Sequence, residues 1–396
     1  MDLSPKMLEL GKKSSIIREI FEYSKRRKAE IGAENVFDFS IGNPSVPAPA
    51  KVTDTMRRLL EEGDPVLLHG YTAASGDPEV RRKLAEGINR EFDAGVRGEL
   101  IYMTCGAAAS LTISMAAITQ PEDEIIVFAP FFPEYRVFAE HAGAKLVELP
   151  CRPADLRPDL ELLEKSINPH TKAVLINSPN NPTGVIIPAE DLAHLAEILR
   201  KKEEEYGHVI YLIADEPYRK LVWNGEEVPY VTKFYDDSLV CYSFSKAVSL
   251  PGERIGYILV SPTMKNAGDV YAAICGAGRA LGFVCAPSLL QFTVAECADE
   301  TADFSIYRKN REILLRELTR IGYEVIPPDG AFYLFVKALE PDANAFYERG
   351  KKQELLLVPS DSFGCPGYVR IAYCVTTEQI ERAIPAFEKL YKDYQK

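Results

Sequence analysis

Between residues 100 and 260 the chain repeats one pattern. Short, unbroken apolar or β-branched runs, at residues 101–104, 125–129, 145–149, 173–177, 209–214, 239–243 and 255–260, are separated by more polar stretches. A strand with one wet face alternates in hydrophobicity, whereas a strand covered on both faces reads as a continuous apolar run. Several intervening stretches are long enough for crossover helices, and in one of them Leu192, Leu195, Ala196 and Leu199 keep helical i, i+3, i+4, i+7 spacing within a charged segment. The pattern therefore predicts an α/β fold with a seven-stranded, mainly parallel sheet flanked by helices.

Beyond residue 290 the character changes. A long charged helix is expected over 303–321, strands over 332–336, 355–358 and 368–373, and a last helix opened by Thr376 with Gln379 in a capping-box arrangement. Pro385 inside that helix predicts a kink. This part reads as a second, α+β domain packed on the first, because no Gly/Ser-rich linker separates them.

Composition excludes several classes. With 46% hydrophobic and 26% charged residues the chain is neither disordered nor fibrous, and its net charge of −12 argues against a nucleic-acid partner. The eight cysteines contain no CxxC pair, which fits a reducing cytoplasm better than a disulfide scaffold or a zinc site. His69, His141, His170, His194 and His208 show no ligand spacing, so no metal is expected. Asp2, Lys6, Glu9, Lys12, Lys13 and Arg18 interrupt the first twenty residues, no signal peptide is expected there, and no stretch approaches a membrane span.

Three strand ends carry chemistry. Ser178-Pro-Asn-Asn-Pro-Thr-Gly184 follows the run 173–177 and places two Asn side chains where parallel sheets bind ligands, although such a segment is equally at home as a plain turn. Asp215-Glu-Pro-Tyr-Arg219 ends the run 209–214 with a carboxylate that either pairs a buried cation or caps a turn. Ser243-Phe-Ser-Lys246, with Arg254 eight residues on, offers an amine whose pKa can be lowered and groups suited to a phosphate, whereas a lone Lys is ordinarily a surface residue. An amine, a carboxylate and a phosphate cluster on successive strand ends are the parts that a pyridoxal phosphate site needs.

In the order and spacing of these motifs the chain resembles the fold-type I, class I/II pyridoxal-5′-phosphate aminotransferases of the aspartate aminotransferase superfamily. The resemblance runs from Ile41-Gly-Asn-Pro44 and Tyr71-Thr-Ala-Ala-Ser-Gly76 through Pro328-Asp-Gly-Ala-Phe-Tyr333 to Val369-Arg-Ile371. It implies a large cofactor-binding domain over 50–287, a small domain built from 1–49 and 288–396, and a homodimer with its active site at the domain and subunit interface. Lys246 would form the Schiff base with the cofactor and then shuttle a proton between substrate Cα and cofactor C4′. Asp215 would hold the pyridine nitrogen protonated, and Tyr218 with Asn181 would bond the phenolic oxygen. Ser243, Arg254 and the N–H groups of Gly106, Ala107 and Ala108 would hold the phosphate, and Phe132 would stack on the ring. Tyr71 would reach the phosphate in the neighbouring subunit. Arg370 would fork onto the substrate α-carboxylate, and Gly42 lies where the N-terminal segment closes over the substrate.

The implied activity is ping-pong transfer of an amino group from an L-amino acid to a 2-oxo acid in amino-acid metabolism, as part of a biosynthetic process. Two other readings share the scaffold: a cystathionine β-lyase-like C–S lyase, and a non-catalytic regulator, which would need a DNA-binding module that the acidic chain does not offer. Some dicarboxylate-specific members carry a Lys in the phosphate turn, but here the turn reads Cys105-Gly-Ala-Ala-Ala109. Arg279 is the remaining candidate for a distal-carboxylate group. In so acidic a chain, Arg254 and Arg370 must act as local exceptions held by the fold.

Overall fold

The computed structural model describes residues 3–12, 15–223 and 225–396; Asp2 and Lys13, two of the charges noted above, lie outside them. The chain divides into two compact units. One comprises Val46–Phe304 with Asp329–Ala331, the other Met1–Ser45, Ser305–Pro328 and Phe332–Lys396.

The larger unit is built on a seven-stranded sheet of β1 (Ile101–Thr104), β2 (Glu124–Ala129), β3 (Lys145–Pro150), β4 (Thr171–Asn177), β5 (Tyr211–Asp215), β6 (Ser238–Ser243) and β7 (Gly256–Val260). Each strand falls on one of the apolar runs. The order across the sheet is β1-β7-β6-β5-β4-β2-β3, and only β7 runs antiparallel to its neighbours. Strands β1, β6 and β7 are buried along their whole length, which is why they carry no alternation. The edge strand β3 instead exposes Lys145 and Glu148, a charged edge that discourages pairing with another chain.

Helix Ala189–Tyr206 buries Leu192, Leu195, Ala196 and Leu199 against the sheet core, as their spacing predicts. It stops at Gly207, whose φ of 71° is the left-handed conformation that glycine tolerates best. Helix Ser288–Cys297 packs on helices Ala50–Glu62 and Pro78–Phe92 and adds Leu290, Val294 and Cys297 to the same core, so this unit runs on to Phe304. Asp329–Ala331 return to it because the N–H groups of Asp329 and Gly330 both donate to the Gly184 carbonyl and Gly330 bridges to Val222.

One topological detail decides what the sheet edge carries. Because β7 is reversed, its first residue, Gly256, lies opposite Ser243 at the end of β6 and Thr104 at the end of β1. The segment entering β7 and the segments leaving the other strands therefore share the carboxyl edge.

In the smaller unit, strands Val358–Pro359, Tyr368–Ala372, Tyr333–Lys337 and Val325–Ile326 form an antiparallel sheet in that order, and Phe37–Asp38 pairs in parallel with Leu355–Leu356. Helices Ser305–Ile321 and Thr377–Asp393 pack together. The Thr376 hydroxyl caps the latter by accepting from Gln379 N at 3.2 Å. The Gln379 side chain donates to the Asp38 carbonyl instead of completing the capping box, and the helix runs on through Pro385 without a break. No helix among the described residues is long and apolar enough to cross a membrane.

Candidate active site

Strands β4, β5 and β6 are neighbours, and their register sets Asn177 beside Asp215 and Asp215 beside Cys241 at the carboxyl edge. Side chains projecting past the ends of adjacent parallel strands, about 5 Å apart, converge on the crevice where α/β sheets bind ligands.

Asp215 is only 5% exposed. Its Oδ2 accepts the Tyr135 hydroxyl at 2.5 Å and lies 3.4 Å from the Asn177 amide, whose Nδ2 also donates to the Asp215 carbonyl at 2.8 Å. Oδ1 is buried and has no hydrogen-bond partner among the described residues. Burial pushes the carboxyl up to about 7, with the Tyr135 hydrogen bond opposing it. A buried carboxylate in this state calls for a positively charged N–H donor at the open oxygen. Asn177 also links this carboxylate to the adjoining turn, since its Oδ1 accepts Asn181 N at 2.7 Å. Asn181 and Tyr218 are both buried within the segments that leave β4 and β5.

The other end of the edge is built differently. Helix Ala107–Ile118 starts directly after β1, and Gly106 caps it without any side-chain acceptor, so its first N–H groups are suited to an anion. Gly106 has φ of 91°, and a Cβ there would stand 2.7 Å from Arg254 Nη2. The positive φ favours glycine here, and a side chain would also have to displace the end of Arg254. Arg254, itself left-handed at φ 53°, donates from Nη2 to the Cys105 carbonyl at 3.2 Å and from Nη1 to the Pro251 carbonyl at 2.9 Å. Its Nη1 lies 3.4 Å from the Ser245 hydroxyl, which is 2.7 Å from the Ser243 hydroxyl. Ser243 also accepts Ser245 N and so caps the short helix Phe244–Ala247 that carries the half-buried Lys246. Phe132, beyond the end of β2, meets Tyr135 edge-on with centroids 5.6 Å apart.

Gly42 and Arg370 belong to the smaller unit. Arg370, 3% exposed on strand Tyr368–Ala372, donates from Nη2 to the Ser40 carbonyl at 2.5 Å. Its guanidinium lies over the Tyr333 ring at 4.6 Å and near the Phe363 ring at 5.3 Å, a setting that fixes the plane of the fork. A Cβ on Gly42 would collide with the Tyr333 hydroxyl, so the backbone passes close to that ring only as glycine.

Of the residues marked on the sequence, Gly106, Ala107, Ala108, Phe132, Asn181, Asp215, Tyr218, Ser243, Lys246 and Arg254 thus lie on segments leaving or entering one sheet edge. Tyr71 is 97% exposed and Arg279 lies exposed on helix Ala267–Leu281. Three residues escaped the sequence reading: Tyr135, Asn177 and Ser245. Only Ser245 carried a signal there, as the second hydroxyl of the Ser-x-Ser segment before Lys246.

The donor set fits pyridoxal phosphate. The open Asp215 Oδ1 matches a protonated pyridine nitrogen, and the glycine-lined helix start with Ser243, Ser245 and Arg254 matches a phosphate. Among the described residues no group of His, Cys, Asp or Glu is arranged to hold a metal ion.

Comparison with known proteins agrees. The family model for aminotransferase class I and II matches residues 34–387. A probable aspartate/prephenate aminotransferase of Thermus aquaticus is 32% identical over 350 residues, covering 87% of this chain and 89% of that protein. The aspartate/prephenate aminotransferase of Thermus thermophilus is 30% identical over 353 residues, 88% and 89% respectively. Among solved structures, an amino transferase from Eubacterium rectale superposes with a TM-score of 0.98 at 53% identity over the whole of both chains. The Thermus thermophilus aspartate aminotransferase with maleate gives 0.86 at 27% identity, covering 98% of this chain and 100% of that one. None of these findings favours the C–S lyase reading. A sheet edge that pairs an open buried carboxylate with a phosphate cradle, and a family match spanning nearly the whole chain, lead to one conclusion: the chain belongs to the aminotransferase class I and II family and is a pyridoxal phosphate-dependent transaminase.

Proposed function

We propose that the enzyme moves the amino group of an L-amino acid to a 2-oxo acid in two half-reactions, with Lys246 as the residue that holds the cofactor and carries the proton. The observation that carries this assignment of the site is the buried Asp215 carboxylate with one oxygen left open. When bound, pyridoxal phosphate supplies an aldehyde that condenses with amines and a ring that accepts the electron pair of the substrate Cα–H bond. Asp215 Oδ1 holds the proton on the pyridine nitrogen, which keeps the ring electron-poor. Tyr218 and Asn181 hydrogen-bond the phenolic oxygen. Ser243, Ser245, Arg254 and the N–H groups of Gly106, Ala107 and Ala108 bind the phosphate, and Phe132 covers one ring face and excludes water from it.

Lys246 anchors the cofactor through its ε-amine. With the cofactor and substrate bound, the same amine would take the proton from the substrate Cα and deliver it at the cofactor C4′. Arg370 binds the α-carboxylate as a two-pronged fork, a geometry that lysine cannot reproduce, and Gly42 lets the N-terminal segment close over the substrate.

The same reading makes the enzyme a cytoplasmic homodimer in a biosynthetic branch of amino-acid metabolism. An exposed apolar series of Leu60, Val66, Leu67, Tyr71 and Val284 in the larger unit supports a subunit interface there, with Tyr71 reaching the neighbouring phosphate. The eight cysteines, all free, suit a reducing compartment.

The test is a half-reaction. A panel of L-amino acids, beginning with the aspartate for which relatives are named, is added to holoenzyme without acceptor. A stoichiometric change of the cofactor absorbance with release of one 2-oxo acid, reversed by a 2-oxo acid, supports transamination. Continuous release of pyruvate and ammonia without acceptor contradicts it.

A further inference from the structure

The proposed function uses one oxygen of Asp215. The other is engaged by a residue with no part in that chemistry. Tyr135 lies in the first turn of helix Glu134–His141 and is fully buried, and its hydroxyl donates to Asp215 Oδ2 at 2.5 Å. Its ring is held independently of the hydroxyl, parallel to Phe131 at 6.2 Å and edge-on to Phe132 at 5.6 Å. A second donor, the Asn177 amide, stands farther from Oδ2 at 3.4 Å, and Asn177 Nδ2 already serves the Asp215 carbonyl at 2.8 Å. The titratable groups facing the pair are Tyr218 and Cys241, and burial pushes the Cys241 thiol up to about 12, leaving it uncharged. A short hydrogen bond to a carboxylate in so dry a setting favours its ionised form and fixes its rotation.

We propose that Tyr135 is a positioning residue of the transamination site, holding Asp215 ionised through Oδ2 and turned so that Oδ1 alone meets the pyridine nitrogen of the cofactor. The inference rests on Asp215 serving that nitrogen. It assigns a function to a buried hydroxyl that otherwise reads as core. The pyridinium character of the bound cofactor then depends on two links in series, the carboxylate and the phenol behind it.

Two measurements test it without recourse to turnover. In the apoprotein, the Asp215 carboxyl is titrated by carbon-13 NMR, with D215N identifying its resonance. Y135F keeps the ring contacts and removes only the donor, and it should raise the midpoint by about one pH unit or more, a tenfold change in proton affinity. Replacing Tyr135 with 3-fluorotyrosine, a stronger donor of nearly the same shape, should lower it. In the holoenzyme loaded with nitrogen-15 pyridoxal phosphate, the pyridine nitrogen of Y135F should move toward the unprotonated position. Unchanged midpoints in Y135F and in the fluorotyrosine protein would overturn the proposal, as would an unmoved pyridine resonance in Y135F. If D215N itself leaves that resonance at the wild-type position, the assignment of Asp215 fails. If D215N moves it and Y135F does not, only the role of Tyr135 falls.

Discussion

The two ends of the sheet edge solve opposite electrostatic problems. At the pyridine end a single carboxylate is buried among neutral donors, Tyr135 and Asn177, with burial pushing it up to about 7. At the phosphate end the groups are backbone N–H donors, hydroxyls and Arg254, which is exposed and bonded to carbonyls of its own loop and of Cys105. The first end is costly to the fold and gains its partner only with the cofactor. The second is nearly complete beforehand, because a helix start and a reversed strand put donors there whatever is bound. Chemistry that needs a fixed charge at one ring atom is assigned to the buried end, and anchoring to the exposed one.

The largest effect expected from this contrast is at Asp215. D215N should lower kcat/KM by about 10³-fold, the range for removing one partner of a buried charged pair, while phosphate anchoring keeps some cofactor bound. It should also change the pH dependence of stability. In the folded apoprotein the carboxyl titrates near 7, above the value of about 4 for an unfolded chain. The folded state therefore binds the proton more tightly, and stability falls as pH rises from about 4 to about 7. Urea midpoints of apoprotein across that window should show this slope in wild type and R254A but not in D215N.

R254A comes next. Loss of a charge-assisted contact should weaken cofactor binding by about 30-fold, read by equilibrium dialysis. Because Arg254 is exposed, wild-type affinity at this end should fall with added salt, and the fall should be smaller in R254A. G106A imposes a Cβ 2.7 Å from Arg254 Nη2 at a φ of 91°, and it should cost about 1–2 kcal/mol in urea denaturation and about tenfold in cofactor affinity. S245A removes one neutral hydroxyl from the Ser243–Arg254 chain and should weaken binding by only about threefold.

What could be read from the sequence follows the same division. The strands were legible because a sheet covered on both faces turns burial into uninterrupted apolar runs, and the polar residues ending those runs mark the ligand edge. Tyr135 was not, since among 20 Tyr and 18 Phe nothing local separates a core ring from one whose hydroxyl meets a carboxylate eighty positions away. Asn177 reads locally as no more than the last residue of a strand, and its bond to Asp215 exists only because β4 and β5 pair in one register. The fate of helix Ser288–Cys297 was equally non-local, for its apolar face is satisfied by helices more than two hundred residues earlier. The half-formed capping box at Thr376 shows the limit of a local motif, because the Asp38 carbonyl takes the Gln379 side chain.

The most direct test of the account is to reduce the holoenzyme with borohydride, digest it and map the pyridoxyl group by mass spectrometry. The account predicts the label on Lys246 alone, with K246A unlabelled and unable to turn over more than once. A label on another lysine, or sustained amino transfer by K246A, would contradict it.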